Sequence, residues 1–328
     1  MTHGQVCVAG ATGYLGRRLV AELRARSLPV TAILKDRSRD EDQRQLIGLG
    51  AMLAFVDASR LEPYAEALAG ADVAISCMAS ANVQVDATND FWAIDRDANI
   101  RFGLAAIRAG ARHVILVATF EGRASRRVSA LSDAKEVAVD AIGAACRETG
   151  AAFTVIRPTA YFSDLTDRAF NSVLTHRRHT VIGDGSHRIN PVDGDDVAEF
   201  IANCISNPTQ AGREHQVGGP DTFSFLEIGI LAAEVIGRPD VLTIRKIPIW
   251  CLRLVAAVAS AAGLVSRGSW RSAAILQWMI WSGTHDAVAP ACGARRLRDA
   301  FCSKLGASGS GATKSKLETL RGSSGLPI

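Results

Sequence analysis

The chain has no C-x-x-C pair, and its seven cysteines, at 7, 77, 146, 204, 251, 292 and 302, are odd in number and scattered. That excludes a disulfide framework and a zinc ribbon, and it points to reduced thiols in a cytoplasmic setting. The one H-x-x-H, His176-Arg177-Arg178-His179, lacks glutamate or cysteine companions, so it reads as a solvated basic turn and no metal site is expected. Neither sign of charge dominates: 37 Lys+Arg stand against 33 Asp+Glu, a net charge of +4. There is no basic stripe interleaved with aromatics, so nucleic acid is not an expected partner. No signal peptide is expected ahead of the first apolar run. The most apolar segment, 247–265, is broken by Arg253 and falls short of a spanning helix. What is present is 48% hydrophobic residues over 328, enough for a large buried core.

The most informative segment lies at the start. An apolar run at 5–9 reads as a strand. It breaks at Gly10-Ala11-Thr12-Gly13-Tyr14-Leu15-Gly16 and continues as a helical pattern. The glycine spacing is G-x-x-G-x-x-G. Gly10 allows a tight turn, Gly13 lets backbone approach a pyrophosphate, and Gly16 lets the helix pack closely on the strand. The helix start offers free N–H groups and a positive dipole end to the phosphates. Gly10, Thr12, Gly13, Tyr14, Leu15 and Gly16 are therefore expected cofactor contacts.

Strand patterns at 30–34, 52–56, 72–76, 113–118 and 153–156 alternate with helical ones at 40–48, 60–69, 90–109 and 132–149. This predicts an α/β fold, a doubly wound parallel Rossmann sheet covered on both faces. Asp57 closes the third strand at the cofactor edge. The second strand ends in Lys35-Asp36-Arg37, with Arg17 close behind the glycine loop. Lys35 and Arg37 would meet a 2′-phosphate, so NADPH is expected over NADH; Asp36 is a dissenting carboxylate offset by one position.

After Arg157-Pro158 the alternation stops. A helix introduced by aspartates is expected at 193–206. A capping box, Ser224-Phe225-Leu226-Glu227, opens another helix ending near Gly237, and apolar helices follow from Pro248 and over 269–281. Three regions result: a Rossmann domain at 1–157, a smaller, mostly helical cap at 158–305 whose chain returns to the sheet edge, and a flexible Gly/Ser/Lys-rich tail at 306–328. The apolar segment around Trp250 is expected as a buried or lid helix rather than a membrane contact. Trp250, Trp270, Trp278 and Trp281 either fill the core or line an apolar pocket.

Several motifs carry a family resemblance. Gly10–Gly16 resembles the glycine signature of atypical short-chain dehydrogenases, especially the NmrA-like proteins. Ala67-Leu68-Ala69-Gly70-Ala71-Asp72-Val73, Asn99, Ala109-Gly110-Ala111-Arg112-His113-Val114, Arg157-Pro158-Thr159, Asn190-Pro191-Val192-Asp193-Gly194-Asp195-Asp196-Val197-Ala198 and Val217-Gly218-Gly219-Pro220 continue the match in order. The stretch from Gly183-Asp184-Gly185 to Pro220 is most similar to divinyl chlorophyllide 8-vinyl reductases and related bacterial reductases. The resemblance implies NAD(P)H and a substrate held between the sheet edge and the cap.

It also shows a departure. Family members pair a Tyr with a Lys four residues later. Lys135 matches the Lys, but Leu131 stands at the Tyr position, and Ala118 stands at the family's Ser with Thr119 beside it. The implied catalytic groups are Lys135 on the nicotinamide ribose, with Tyr161 or Thr119 as proton donor. Cys77, Met78, Ala118, Pro158 and Phe162 would line the carboxyl edge. The expected reaction is hydride transfer to an apolar carbonyl or conjugated C=C substrate. The missing Tyr keeps open a non-catalytic NADP-binding redox sensor, and an epimerase or dehydratase is a third reading. Substrate identity and oligomeric state are not legible.

Overall fold

Residues 4–36, 38–57, 62–80, 91–263 and 267–309 are described by a computed structural model of the chain. Strand β1 (Gln5–Ala9) sends Val6 and Val8 to one face and Cys7 and Ala9 to the other, and all four are buried. Both faces can be apolar because helices cover both. The same alternation runs along β2 (Val30–Lys35), β4 (Ala71–Ser76), β5 (His113–Val117) and β6 (Ala152–Pro158), while β3 (Met52–Val56) is a half-exposed edge.

On the Val6 face, α1 (Tyr14–Ala25) buries Leu15, Leu19 and Leu23, and α2 (Asp40–Gly48) adds Leu46. On the Cys7 face lie α3 (Glu62–Ala67) and α4 (Asn99–Arg108), which continues a π-helical stretch, Trp92–Ala98. A short α5 (Gly122–Ser125) leads into α6 (Ala130–Thr149), which places Ala138 and Ile142 on the same face.

The remaining chain runs through α7 (Phe162–Leu165), a π-helical turn at Thr166–Phe170, α8 (Asn171–His176), β7 (Arg178–Ile182), β8 (Arg188–Ile189), α9 (Gly194–Ser206), β9 (Glu214–Val217), β10 (Phe223–Ser224), α10 (Phe225–Ile236), β11 (Thr243–Ile247), α11 (Ile249–Gly263), α12 (Arg267–Ser282) and α13 (Leu297–Gly309). The main sheet is parallel, in the order β3-β2-β1-β4-β5-β6-β9. This is the expected Rossmann sheet with a helical C-terminal region. Strand β9 is its seventh member, and Val197, Ala198 and Ile201 of α9 join the α1 core. The residues after Pro158 thus supply both the cap and part of the Rossmann layer. The cap has its own apolar cluster, with Phe170, Ile228, Ala232 and Phe301 at its centre.

Three expectations change. His176–His179 is a solvated basic turn only in part: His176, Arg177 and Arg178 are exposed, and Arg177 turns the chain at φ +53°, but Arg178 opens β7, which pairs in parallel with β11, and His179 is buried with a ring nitrogen 2.8 Å from the Phe225 carbonyl. Burial lowers the His179 pKa. Helix α13 carries the chain to Gly309, so the first residues assigned to the tail are helical; residues 310–328 lie outside the described residues, as does Arg37. Helix α11 is not buried either: Trp250 is 68% exposed. The capping box at Ser224 and Glu227 and the N-cap at Asp193 are formed as expected.

Candidate active site

The strand order reverses between β1 and β4, and in such sheets the ligand crevice lies at the carboxyl ends of the strands flanking that point. Gly10 sits at the end of β1 with φ +75°, a conformation that side chains rarely adopt. A Cβ there would stand 2.8 Å from the Cys77 carbonyl carbon, so the loop is pressed against the end of β4. Gly16 is equally confined: a Cβ would meet Ala11 Cα at 2.8 Å. Gly13 differs. It is exposed, and only the Gly10 carbonyl oxygen, at 3.2 Å, lies near a Cβ built on it. Helix α1 starts there without a capping side chain and with no acidic residue in its first turn. An uncapped helix start beside an open glycine is a place for an anion.

Along the carboxyl edge, Lys135 is buried rather than exposed on its helix. Its Nζ donates to the Met78 carbonyl at 2.6 Å and pairs with Asp95 Oδ1 at 3.1 Å. Asp95 is itself held by the Ser80 backbone N–H at 3.0 Å and the Ser80 hydroxyl at 2.5 Å. Asn99, one turn after Asp95, accepts from the Ser76 hydroxyl and donates to the Met78 carbonyl. An ammonium has three N–H donors. Two are used, and the third has no partner among the described residues.

Tyr161 lies on the other side of the glycine loop. Its ring packs edge-on against Tyr14, with centroids 5.3 Å apart, and its hydroxyl is buried with no hydrogen-bond partner among the described residues. Burial pushes its phenol well above the usual tyrosine range, helped by the nearby Cys77, Tyr14, Asp164 and Cys292. Cys77 and Cys292 are each held up at about 12 by burial. Cys77 also feels the Lys135 ammonium, which places it between Lys135 and Tyr161 along the edge. Tyr14 is tied to the C-terminal half: its hydroxyl accepts from the Gly194 N–H at 3.2 Å, and Arg18 stacks over its ring.

The other expected residues fall at the same edge with varied surroundings. Ala118 and Pro158 are buried at the ends of β5 and β6. The Thr119 carbonyl accepts from Arg157 at 2.7 Å, in a buried cluster where Arg157 also holds Glu136 at 2.6 and 3.0 Å and Glu214 at 2.6 Å. Thr12 is half-buried in the glycine turn, Leu15 is buried, and Asp57 follows β3 beside Tyr64. Lys35 is exposed at the end of β2, with no ion-pair partner among the described residues. Arg17 is not a free cation: it pairs with Asp42 at 3.1 Å, and Arg39 reaches the same carboxylate at 3.1 Å. Phe162 turns away into the cap core.

Of the expected tryptophan lid, Trp278 is half-buried on α12 and the side chain of Trp270 lies outside the described residues. Leu131, at the missing Tyr position, packs with Phe91, Trp92 and Ala274 of α12. The hairpin of α11 and α12 meets α6 over a cleft of about 680 Å³ lined by Ser129, Asp133, Arg253, Gln277, Trp281 and His285, among others. Asp133 and Lys135 are two residues apart, about 200° around a helix. The cleft therefore borders the flank of α6 facing away from Lys135. Trp281 borders it, and Trp250 faces outward.

Sequence reasoning missed Asp95, Ser80, Asp42 and Cys292. Asp95 had a signal, since it precedes the family-like Asn99 by one helical turn and so shares its face. Cys292 had none; it arrives from over a hundred residues beyond Tyr161.

The glycine turn and open helix start at the reversal of a parallel sheet define a dinucleotide-binding Rossmann protein. Residues 10–208 match the NAD(P)H-binding family, and the chain belongs to it. It is 28% identical over 275 residues to divinyl chlorophyllide a 8-vinyl-reductase of Arabidopsis thaliana, covering 77% of this chain and 62% of that protein. It spans less than two thirds of that relative's length. Among solved structures, an NADPH complex of an Escherichia coli NADPH-dependent quinone oxidoreductase superposes with a TM-score of 0.67 at 17% identity, over 92% of this chain and 99% of that one. A Citrobacter triphenylmethane reductase complexed with NADP(H) gives a TM-score of 0.65 at 18% identity, with the same coverage. At these identities the likeness is one of fold.

Proposed function

We propose that the chain is an NADPH-dependent reductase that delivers hydride to an apolar, conjugated C=C or carbonyl substrate without the usual tyrosine. The observation that carries this reading is Lys135: a buried ammonium at the carboxyl edge, anchored by Asp95 and Met78, with one donor unpartnered among the described residues. The names of the sequence relatives and fold neighbours support a reductase.

The residues fit the dinucleotide. Gly13 and the start of α1 would receive the pyrophosphate. Lys35 would meet the 2′-phosphate, with Arg37 as its expected companion. The spare Lys135 donor would bind the nicotinamide ribose. Bound there, the reduced nicotinamide supplies the hydride. Tyr161 keeps its proton throughout the physiological range, because burial disfavours its phenolate. It can therefore donate a hydrogen bond or a proton to a substrate atom that gains charge. Thr119 is the alternative donor, its backbone held by Arg157. Leu131, Phe91 and Trp92 present apolar surface beside Lys135, which suits an apolar acceptor and excludes water.

One observation favours a second reading. Leu131 is packed into an apolar cluster and supplies no acid, as in a non-catalytic NADP-binding regulator. Purified protein, NADPH and a panel of enones and quinones separate the two readings: oxidation of NADPH is expected. Tight NADPH binding with no turnover on the panel would favour the regulator. Tyr161→Phe should cut turnover by about 10²-fold if Tyr161 is the acid. Unchanged turnover would assign the proton to Thr119 or solvent. Gly13→Val should abolish NADPH binding without unfolding the chain, because the side chain would stand where the pyrophosphate approaches the backbone.

A further inference from the structure

Helix α11 carries its apolar residues on the outside. Trp250, Leu254, Val255 and Val258 are 68, 59, 53 and 62% exposed, and Ala257, Ala261 and Ala262 are exposed beside them. Ala256 is the buried residue of this helix, on the side that meets α12. At about 100° per residue, the exposed apolar positions sweep about 160° of the helix, with Arg253 at one margin. A surface helix normally shows the reverse arrangement. A contiguous apolar face of this kind marks a contact surface.

Along this stretch of chain the charge is one-signed. From Val241 to His285 the sequence contains Arg245, Lys246, Arg253, Arg267 and Arg271 and not one aspartate or glutamate. Arg245 and Lys246 are exposed on β11, which passes through Pro248 directly into α11. Arg178 is exposed on the neighbouring strand, where it pairs in register with Thr243. The carboxylate lining the adjacent cleft, Asp133, is already paired with Arg126 at 3.0 Å. Fifteen residues of helix are about 22 Å long, short of a hydrocarbon core of about 30 Å. Among the described residues no helix is long and apolar enough to cross a membrane.

We infer that α11 is an interfacial anchor that lays its outer face into an anionic lipid surface, with Arg245, Lys246 and Arg253 at the headgroups. Apolar burial and cation attraction combine in such helices. The cations beside this face, Arg245, Lys246 and Arg253, are what select a membrane over a second copy of the chain, whose same face would bring like charges together. The inference does not depend on the proposed reaction.

Vesicle flotation of the full chain tests it. The protein should float with phosphatidylcholine vesicles containing phosphatidylglycerol, float poorly with phosphatidylcholine alone, and be released by salt. Leu254→Glu together with Val258→Glu should weaken binding by at least roughly tenfold, from lost apolar burial. Arg245→Gln with Lys246→Gln should weaken it by roughly fivefold per cation at low salt. Each variant is exposed, so its thermal midpoint should match the parent. Failure of the parent to float with anionic vesicles overturns the inference. So does equal flotation with neutral ones, or a parent dimer that Leu254→Glu splits while vesicles go unbound.

Discussion

Two neighbouring residues of α6, Lys135 and Glu136, are both buried and both ion-paired, and they serve opposite purposes. About 100° of helical rotation separates them. Glu136 turns toward Arg157, four of whose five N–H donors are taken by Glu136, Glu214 and the Thr119 carbonyl. The space around it is filled: a Cβ on Gly122 would stand 2.7 Å from Arg157 Nη1. Lys135 turns toward the glycine loop, and its third donor has no partner among the described residues. Burial and pairing alone do not mark a functional charge; unsatisfied capacity at a crevice does.

The filled side should give the largest effect when broken. Glu136→Gln leaves Arg157 a buried charge without its bidentate partner and should cost about 3–5 kcal/mol in urea denaturation. A loss below 1 kcal/mol would erase the contrast between the two faces. On the open side, Lys135→Met alone would strand Asp95, so the informative variant is Lys135→Met with Asp95→Asn. Both charges leave together, and folding should stay near the parent while turnover falls by about 10²-fold. Parent-like turnover in that double variant would make Lys135 merely structural.

The same test of spare capacity applies at the end of β2. Lys35→Ala should weaken NADPH by about tenfold and leave NADH unchanged in calorimetric titration, because one charge-assisted contact is removed. Arg17, already paired with Asp42, should matter less. The smallest effect concerns the orphan hydroxyl: Tyr161→Phe should raise unfolding stability by about 1 kcal/mol, since a buried oxygen without a partner is removed. A fall in stability would mean that the hydroxyl has a partner in solution.

Much of the Rossmann half was legible in the sequence. Strands β1 to β6 and their helices announce themselves by period, and the glycine spacing locates the turn where β1 meets the end of β4. These are local signals, carried by residues that need only their neighbours to be understood. The resemblance placed Lys135 and the vacancy at Leu131. The pairing of β7 with β11 escaped because both strands are short and half-exposed, and their partners lie some 60 residues apart in the chain. No strand was read at 214–217, where β9 forms; helix α9 and a return of the chain to the sheet edge were legible. Their place in the α1 core was not.

By itself the sequence determined that a dinucleotide loop opens a parallel sheet, that a lysine stands on α6 without its tyrosine, and that an apolar, tryptophan-bearing segment follows. Only the tertiary structure decided which neighbour of Lys135 is structural, that Cys292 and Tyr161 share an edge with Cys77, and that α11 turns its apolar side outward. The reason is physical. Periodicity and turn chemistry are written within a few residues, but burial and saturation of a polar group depend on what distant segments bring to it.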